Sequence, residues 1–352
     1  MKKRKESREK ALLQRILAGE LDEELLETRQ RLDGREISAR QRKIERTALL
    51  RAAEGAAATD LANLPTGQVV QVYSLFCDVE HEGRLYLCVV RRTLMRVSET
   101  PVVAGDFVKF SIAAPSGDGS RPTGVIEQVL PRRTVLTRAD SFKAIEPQPI
   151  VANAQQMLIV ASLLEPEVRW GLVDRMVVAA QSGGLKPVIC LNKVELAHSS
   201  ARGEELMRFA DEALAHYRSL GIATLRTSAT ARLGLDELRQ TLQNTSTVLA
   251  GHSGVGKSSL IRALQPNLNI RVQPVSAATG KGRHTTTFSR RYDLDFGGQV
   301  YDTPGVKLFG LWAVNPDNLI RFFPDVAGGN APEWRQQSYQ RMLASLGNGH
   351  TE

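Results

Sequence analysis

A short glycine-rich stretch in the second half of the chain contains residue types whose spacing suits phosphate chemistry. Residues 251–258 read Gly-His-Ser-Gly-Val-Gly-Lys-Ser, which is one glycine, four residues and then Gly-Lys-Ser. A loop of this kind aims successive backbone N–H groups at a polyphosphate, and Lys257 would reach the β- and γ-phosphates. The hydroxyl of Ser258 would ligate Mg²⁺. The pattern predicts a phosphate-binding loop, and the alternative is a glycine-rich turn that only resembles one.

The sequence on either side of this loop predicts the elements that would position it. Residues 247–250 are a short β-prone run, and residues 258–264 have apolar residues at helical spacing. A strand, a loop and a helix in this order place a helix N-terminus at the bound anion. Glycines in the loop let the backbone approach the phosphates because they have no Cβ. The loop residues expected at the nucleotide are Gly251, His252, Ser253, Gly254, Val255, Gly256, Lys257, Ser258 and Ser259.

Two motifs that follow the loop along the chain suit the same chemistry. Residues 282–287 read Gly-Arg-His-Thr-Thr-Thr, and we expect the hydroxyl of Thr286 to complete the coordination of Mg²⁺. Asp302 opens the stretch Asp-Thr-Pro-Gly directly after a short apolar run. A carboxylate at the end of a strand can hold the water shell of Mg²⁺, and the N–H of Gly305 can contact the γ-phosphate.

A base-recognition motif precedes the loop. Residues 192–195 read Asn-Lys-Val-Glu and follow an apolar run that is typical of a strand buried in a parallel sheet. The carboxylate of Glu195 can accept hydrogen bonds from N1–H and N2–H₂ of guanine, while Lys193 covers the base. A backbone N–H of Ser228 or Ala229 would support guanine O6. Four short motifs around one Gly-Lys-Ser loop therefore predict a GTPase that binds GTP or GDP together with Mg²⁺.

The order of these motifs is permuted, because ordinary GTPases begin with the phosphate loop. Asn192 lies 59 residues before Gly251, and Asp302 lies 51 residues after it. The same sheet can form if the chain starts at a different strand. Strand-like and helix-like segments alternate along this part of the chain, as in a doubly wound sheet. We predict a circularly permuted α/β P-loop GTPase domain over residues 139–312.

The motifs leave open which residue positions the attacking water. Val306 stands where many GTPases have a glutamine for this purpose. We expect His284 to take this role, and the alternative is that His284 only shapes its loop. Phosphoryl transfer would otherwise depend on Lys257 and on Mg²⁺, which neutralise charge on the phosphates.

Residues 63–138 predict an all-β barrel of the oligonucleotide-binding (OB) type. Five short strand-like runs are separated by turn residues, at 69–73, 85–90, 106–110, 124–129 and 134–136. Basic residues such as Arg84, Arg91 and Arg92 suit contact with an RNA backbone. The alternative is a barrel that only braces its neighbour.

The composition indicates the cellular location of the protein and the class of molecule that it binds. Residues 1–62 are a charged arm, predicted to be mobile or partly helical, that could lie on RNA phosphates; a solvated extension without function is the alternative. The net charge of +8 favours an anionic partner. The N-terminus is charged and no run of 18 apolar residues occurs, so we expect a cytoplasmic protein without a membrane span. Cys77, Cys88 and Cys190 read as buried thiols.

These motifs together resemble the circularly permuted ribosome small-subunit biogenesis GTPases, the RsgA family, also called YjeQ or EngC. The resemblance covers about residues 66–325 and is carried by 251–260, 282–287, 302–305, Gly310-Leu311-Trp312 and Val129-Leu130-Pro131-Arg132-Arg133. It implies a GTPase that binds the small ribosomal subunit and its rRNA and hydrolyses GTP late in maturation. It also implies release of other assembly factors, and we expect the protein to act as a monomer.

Two departures from the family pattern are visible. Glu195 stands where the family usually has Asp, so the carboxylate reaches one methylene further. The family's C-terminal domain has a Cys/His zinc site, whereas residues 313–349 contain neither residue type, so we expect no zinc and a reduced helical tail over residues 313–352. One alternative function is an RNA-binding assembly factor that holds guanine nucleotide with little hydrolysis. Another is action on the large subunit or an organellar ribosome, which the barrel and the acid-rich N-terminus disfavour.

Overall fold

The computed structural model describes most of the chain beyond the charged arm. The described residues are 60–73, 76–97, 101–113, 121–138, 148–268, 289–303, 309–311 and 313–347. The chain divides into two compact units, Met1–Pro131 and Arg132–Glu352. Because the described residues begin at residue 60, most of the predicted arm over residues 1–62 lies outside them. In the part of the chain that is described, no helix is both long enough and apolar enough to cross a membrane.

The first unit contains a closed five-stranded barrel. Its elements are β1 Thr66–Val72, β2 Phe76–His81, β3 Arg84–Val90, helix α1 Arg92–Val97, β4 Phe107–Ile112 and β5 Thr123–Val129. Neighbouring strands pair in the order β1, β2, β3, β5, β4, and β4 pairs back onto β1 to close the ring. All pairs are antiparallel except β3 with β5. The predicted OB-like barrel is confirmed.

The interior of the barrel is apolar because alternate residues of each strand point inward. Val69, Val79, Phe110 and Ile126 are fully buried there. Burial also raises the pKa of the Cys77 thiol to about 12, so this cysteine stays protonated at neutral pH. The barrel cysteines are thus core residues, as their apolar surroundings in the sequence predicted.

Two details of the predicted barrel were wrong. The run at 134–136 was assigned to it, but the corresponding strand β6, Val135–Arg138, pairs with β7, Gln148–Ala152, in the second unit. The fifth barrel strand is instead β2, whose polar residues weaken the alternating pattern. Arg91 was assigned to RNA contact, yet it is buried and its guanidinium donates to the carboxylate of Glu127 at 2.8 Å. A buried ion pair removes this arginine from the surface.

The second unit contains a six-stranded sheet. Its remaining elements are β8 Gln156–Ser162, α2 Trp170–Ser182, β9 Lys186–Asn192, α3 Ala201–Ser219, β10 Ala223–Arg226, α4 Leu235–Leu242, β11 Ser246–Ala250, α5 Lys257–Leu264, β12 Arg290–Asp293, β13 Gln299–Asp302, α6 Pro324–Ala327 and α7 Glu333–Gly347. Two 3₁₀ turns cover Val194–Ser199 and Leu319–Phe322. The spatial order is β10, β9, β8, β11, β13, β12, with only β12 antiparallel.

The sheet is buried on both faces, as its apolar strands predicted. Every residue of β8 is buried. On one face, Leu238 and Leu242 of α4 and Leu260 and Ile261 of α5 join a continuous core with the strands. Helix α2 contacts β8 and β9. Helices cover both faces of a parallel sheet, so a ligand can reach it at the ends of its strands.

The permuted chain brings separate motifs to one edge of the sheet. Strands β9, β11 and β13 run parallel, so their carboxyl ends point the same way. Asn192 ends β9, the loop at 251–256 follows β11, and Asp302 ends β13. A ligand site is expected at the carboxyl edge of such a sheet.

Candidate nucleotide site

The phosphate loop has the backbone that its glycines predicted. It connects β11 to α5, and Gly251 and Gly256 have φ of 139° and 95°. A Cβ on Gly251 would lie 2.2 Å from the carbonyl oxygen of Val160, and one on Gly256 would lie 2.3 Å from Nδ2 of Asn192. Only glycine fits both the backbone conformation and the space at these two positions. The loop therefore depends on neighbours in β8 and β9 as well as on its own sequence.

Lys257 lies over the loop that it follows. Its Nζ donates hydrogen bonds to the carbonyl oxygens of Gly251 at 2.7 Å and His252 at 3.1 Å. Burial lowers the pKa of Lys257, and the nearby charge of Asp302 partly offsets that effect. Burial likewise raises the pKa of Asp302, and the charge of Lys257 partly offsets it. The structure thus places the predicted phosphate-binding cation and the predicted Mg²⁺ carboxylate in one partly buried region.

Asn192 connects the base motif to the phosphate loop. Its Nδ2 donates to the carbonyl oxygen of Val255 at 2.9 Å. Its Oδ1 accepts from the hydroxyl of Thr227 at 3.2 Å, directly after β10. Three segments that are far apart in sequence are thus joined by one buried side chain. The sequence analysis missed Thr227, although its position just before Ser228 and Ala229 could have indicated it.

Glu195 lies in the 3₁₀ turn after β9, opposite the segment that follows β10. Its Oε1 accepts a hydrogen bond from the hydroxyl of Thr230 at 2.7 Å. The backbone N–H of Ser228 donates to Leu233 at 3.0 Å, so it is not available to guanine O6. Among the described residues, the N–H of Ala229 makes no hydrogen bond, so of the two predicted donors Ala229 remains the candidate.

Lys193 shows the one backbone outlier within the base motif. Its φ is 60°, in the left-handed region, and its Nζ donates to the carbonyl oxygen of Glu165. Such strained positions cluster at functional sites because the surroundings must hold them. The bond to Glu165 holds the start of the base motif against the segment between β8 and α2.

A wall that the sequence did not predict lies beside the phosphate loop. It consists of residues 163–169, between β8 and α2. Pro166 is so close that a Cβ on Gly254 would lie 3.6 Å from its Cδ, and the carbonyl of Pro166 accepts from the hydroxyl of Ser162 at 2.6 Å. A mostly apolar cavity adjoins this wall; its lining includes Val160, Pro166, Leu172, Met176 and Val255, together with the polar residues Ser162, Glu167, Arg169 and His252. No glycine or charge pattern marked these residues in the sequence.

Three predicted site residues lie outside the described residues. They are His284, Thr286 and Gly305, so their roles stay predictions. Ser253, Ser258 and Ser259 lie in the described loop and the first turn of α5. Within the described part of the chain, no group of three or more His, Cys, Asp or Glu could hold a metal ion. The expectation of no zinc also stays a prediction.

The permuted order of strands and the loop between β11 and α5 define the class as a circularly permuted P-loop GTPase. The sequence model described as RsgA GTPase matches residues 129–312, more than half of the chain. This chain belongs to the RsgA GTPase family, whose members are GTP-hydrolysing enzymes. The predicted resemblance is thereby confirmed.

Curated relatives and solved structures agree with this assignment. The small ribosomal subunit biogenesis GTPase RsgA of Sodalis glossinidius (strain morsitans) is 38% identical over 266 residues, which are 75% of this chain and 73% of that protein. The protein of the same name from Pectobacterium carotovorum subsp. carotovorum (strain PC1) is 37% identical over 268 residues, 75% of this chain and 72% of its own.

The crystal structure of YjeQ from Thermotoga maritima superposes with a TM-score of 0.61 at 29% identity and covers 80% of this chain and 98% of its own. YloQ, described as a circularly permuted GTPase, has a TM-score of 0.59 at 21% identity and covers 84% of this chain and 100% of its own. At that identity, the likeness to YloQ concerns the fold.

Proposed function

We propose that this GTPase acts in late maturation of the small ribosomal subunit. It binds the subunit through rRNA and hydrolyses GTP to drive release of assembly factors. The observation that supports this most directly is the joined site, in which Asn192 bonds the phosphate loop at 2.9 Å; in addition, 75% of the chain resembles an RsgA protein named for that role. A guanine motif hydrogen-bonded to a phosphate loop can hold both ends of one GTP molecule.

In this proposal each part of the nucleotide has its own residues. The loop N–H groups and Lys257 bind the phosphates, because a cation that already bonds loop carbonyls lies where the phosphate oxygens would arrive. Glu195 and the N–H of Ala229 recognise guanine, and Lys193 covers the base. Gly305 contacts the γ-phosphate.

Two of the described residues support a Mg²⁺ site at the carboxyl edge of the sheet. A hard cation prefers oxygen ligands, and Ser258 lies in the first turn of α5 while Asp302 ends a neighbouring strand at the same edge. Ser258 and Thr286 would hold the ion directly and Asp302 through its water shell. When bound, the ion would neutralise charge that develops on the phosphates. No zinc is needed in this scheme.

We assign the orientation of the attacking water to His284. The variant His284→Ala should lower the rate of hydrolysis while GTP binding stays intact. Unchanged hydrolysis with intact binding would show that His284 only shapes its loop. A water-positioning role predicts a slower chemical step, whereas a role in loop shape alone leaves that step unchanged.

The barrel supplies the proposed rRNA contact. Its strand β4 exposes Phe107, and Arg84 at the start of β3 is also exposed. The exposed cation can contact a phosphate backbone, and the exposed ring can stack on a base without reading the sequence. We further propose that the protein works as a monomer in the cytoplasm, in contact with other assembly factors on the subunit.

Steady-state GTP hydrolysis with and without purified small subunits tests the proposal. The expected result is a slow intrinsic rate that the subunits raise by more than about tenfold, because ordering of the switch segments is what such GTPases lack alone. Lys257→Ala serves as the blank for contaminating activity. Binding to subunits without stimulation would instead support an RNA factor that holds the nucleotide, and stimulation by large subunits alone would overturn the small-subunit assignment.

A further inference from the structure

The hydroxyl of Thr230 holds one oxygen of the Glu195 carboxylate. It donates to Oε1 at 2.7 Å, across 35 residues of sequence. The other oxygen, Oε2, is buried and has no hydrogen-bond partner among the described residues. A buried carboxylate oxygen without a partner is costly unless a ligand satisfies it. The carboxylate therefore has one oxygen fixed by Thr230 and one whose capacity to accept is not used by the described residues.

The direction of the hydrogen bonds around Thr230 follows from the chemistry of its neighbours. An ionised carboxylate only accepts, so Thr230 is the donor to Glu195. Oγ of Ser228 accepts from the N–H of Ala231 at 2.8 Å and lies 3.2 Å from Oγ1 of Thr230. The proton of Ser228 is then free to point at Thr230. The result is a chain of donors that runs from the backbone through two hydroxyls to Glu195.

The charge state of Glu195 agrees with this chain. Burial raises the pKa of Glu195, but the hydrogen bond from Thr230, the nearby hydroxyl of Ser228 and the charge of Lys193 outweigh it and lower the pKa below the ordinary value. The group is thus an acceptor at neutral pH. Guanine presents two neighbouring donors, N1–H and N2–H₂, which need acceptor oxygens in a fixed orientation.

The length of the glutamate side chain explains why such a fixed orientation matters here. Glutamate has one more rotatable bond than aspartate, and each immobilised rotor costs conformational entropy when a ligand binds. A carboxylate that a hydroxyl already holds loses less freedom on binding. Oε1 also retains acceptor capacity after it bonds Thr230, because a carboxylate can accept about four hydrogen bonds in total.

We propose that Thr230 is a positioning residue for guanine selectivity: its hydroxyl fixes Glu195 so that the carboxylate meets the N1–H and N2–H₂ groups of the base. This inference rests on the proposed role of Glu195 in recognising guanine. Thr230 does not need to touch the nucleotide. Glu195 and Thr230 act as one unit, in which the hydroxyl makes up for the mobility of the longer acid.

The test is calorimetric titration of the full-length protein with GDP and with inosine diphosphate, which lacks the N2 amine. Thr230→Val removes the hydroxyl, and because Thr230 is exposed the fold should tolerate the change. We expect GDP affinity to fall about tenfold and the affinity for inosine diphosphate to fall less. The ratio of the two affinities, which measures the preference for guanine, should therefore decrease. Thr230→Ser should restore both affinities to within about twofold of the parent, because it keeps the donor.

A matched control and a second variant separate the role of Thr230 from the role of Glu195. Thr241→Val removes a hydroxyl from α4 at the opposite edge of the sheet and should leave both affinities unchanged. Glu195→Gln should lower GDP affinity by about 100-fold and improve binding of xanthosine diphosphate, because an amide N–H can donate to the 2-oxo group of xanthine. That result would support the guanine role of Glu195 independently of Thr230.

Two results would overturn the inference. If Glu195→Gln acts as expected but Thr230→Val binds GDP with unchanged or higher affinity and selectivity, then Thr230 has no positioning role and the proposed function still stands. If Glu195→Gln leaves GDP affinity unchanged, then the assignment of Glu195 to guanine fails, and the role of Thr230 fails with it.

Discussion

The second unit holds two clusters of partly or fully buried charged groups that differ in how the charges are balanced. In the nucleotide site, Lys257 bonds only carbonyl oxygens within the described residues, and Asp302 acts on it through space. The other cluster, called the docking cluster below, joins the C-terminal helices to α2 and α3. It consists of Asp174, His216, Tyr217, Asp325 and Arg335.

Arg335 is the centre of the docking cluster. It is 1% exposed and its guanidinium bonds Asp174 of α2 and, at 3.1 Å, Asp325 of α6. Nε2 of His216 lies 2.7 Å from the same Asp325 carboxylate. The guanidinium also lies over the Phe323 ring, 4.3 Å from its centroid. Opposite charges thus meet inside this cluster, although Oδ2 of Asp174 and Oδ1 of Asp325 have no hydrogen-bond partner among the described residues.

Aromatic side chains surround the docking cluster. Trp170 of α2 and Trp334 of α7 have ring centroids 6.1 Å apart, and Tyr217 lies 5.7 Å from Trp334. This packing excludes water, which strengthens the attraction between opposite charges and makes an unpaired charge costly. Buried charge is thus arranged in two ways in this unit: in the docking cluster opposite charges are in direct contact, whereas in the nucleotide site Lys257 bonds carbonyl oxygens and Asp302 acts on it through space.

The strongest test of this contrast removes the central charge of the docking cluster. Arg335→Met leaves two buried carboxylates without their counter-ion, so the free energy of unfolding should fall by about 3–5 kcal/mol. Urea unfolding followed by tryptophan emission measures it, because Trp170 and Trp334 flank the cluster. Arg341→Met, an exposed arginine on the same helix, is the control and should change little. Equal effects of the two variants would contradict the buried-pair account.

The next test distinguishes steric from conformational demands in the phosphate loop. Gly256→Ala combines a positive φ with a Cβ 2.3 Å from Asn192, whereas Gly254→Ala has a φ of 84° but only an ordinary 3.6 Å contact. We expect GDP affinity to fall by about 100-fold or more for the first and about tenfold for the second. Titration calorimetry measures both, and equal losses would show that backbone strain alone decides the loop.

A smaller effect is expected when the bond between the base motif and the loop is removed. Asn192→Ala leaves the Val255 carbonyl and the Thr227 hydroxyl without this partner, which should weaken GDP binding by about 1 kcal/mol. Asn192→Asp keeps the acceptor for Thr227 but loses the donor to Val255. If both variants bind GDP like the parent, then the two motifs do not depend on this bond.

The smallest expected effect depends on pH and concerns the docking cluster. Burial raises the pKa of Asp325, but bonds from His216 and Arg335 outweigh it and lower the pKa below the ordinary value of about 3.9. The ionised carboxylate therefore stabilises the fold above that value, and the contribution is lost as the pH falls through the folded-state pKa.

Asp325→Asn removes this contribution at every pH. The difference in unfolding free energy between parent and variant should be on the order of 1 kcal/mol near neutral pH and should shrink as the pH falls below about 4. Urea titrations across that range measure the difference. A gap that widens on acidification would mean that the carboxylate of Asp325 is not the stabilising form.

The phosphate loop and the base motif were predictable because each is local. Gly251, Gly256 and Lys257 lie within seven consecutive residues, so their spacing alone indicates the loop. The barrel was predictable as a class, but β2 was missed because its polar residues break the alternation, and β6 was misassigned because a strand run does not identify its partner. Strand pairing is a long-range property.

The sequence by itself determined which residues could bind a nucleotide, because backbone freedom at glycine and the charge of lysine belong to the residue types. Only the tertiary structure decided which groups act together. Thr230 bonds Glu195 over a separation of 35 residues, and Arg335 bonds Asp174 over a separation of 161 residues. No local sequence pattern predicts either pair. The reason is physical: a hydrogen bond or ion pair needs a fixed distance of about 3 Å, and that distance is set by packing of the sheet and helices.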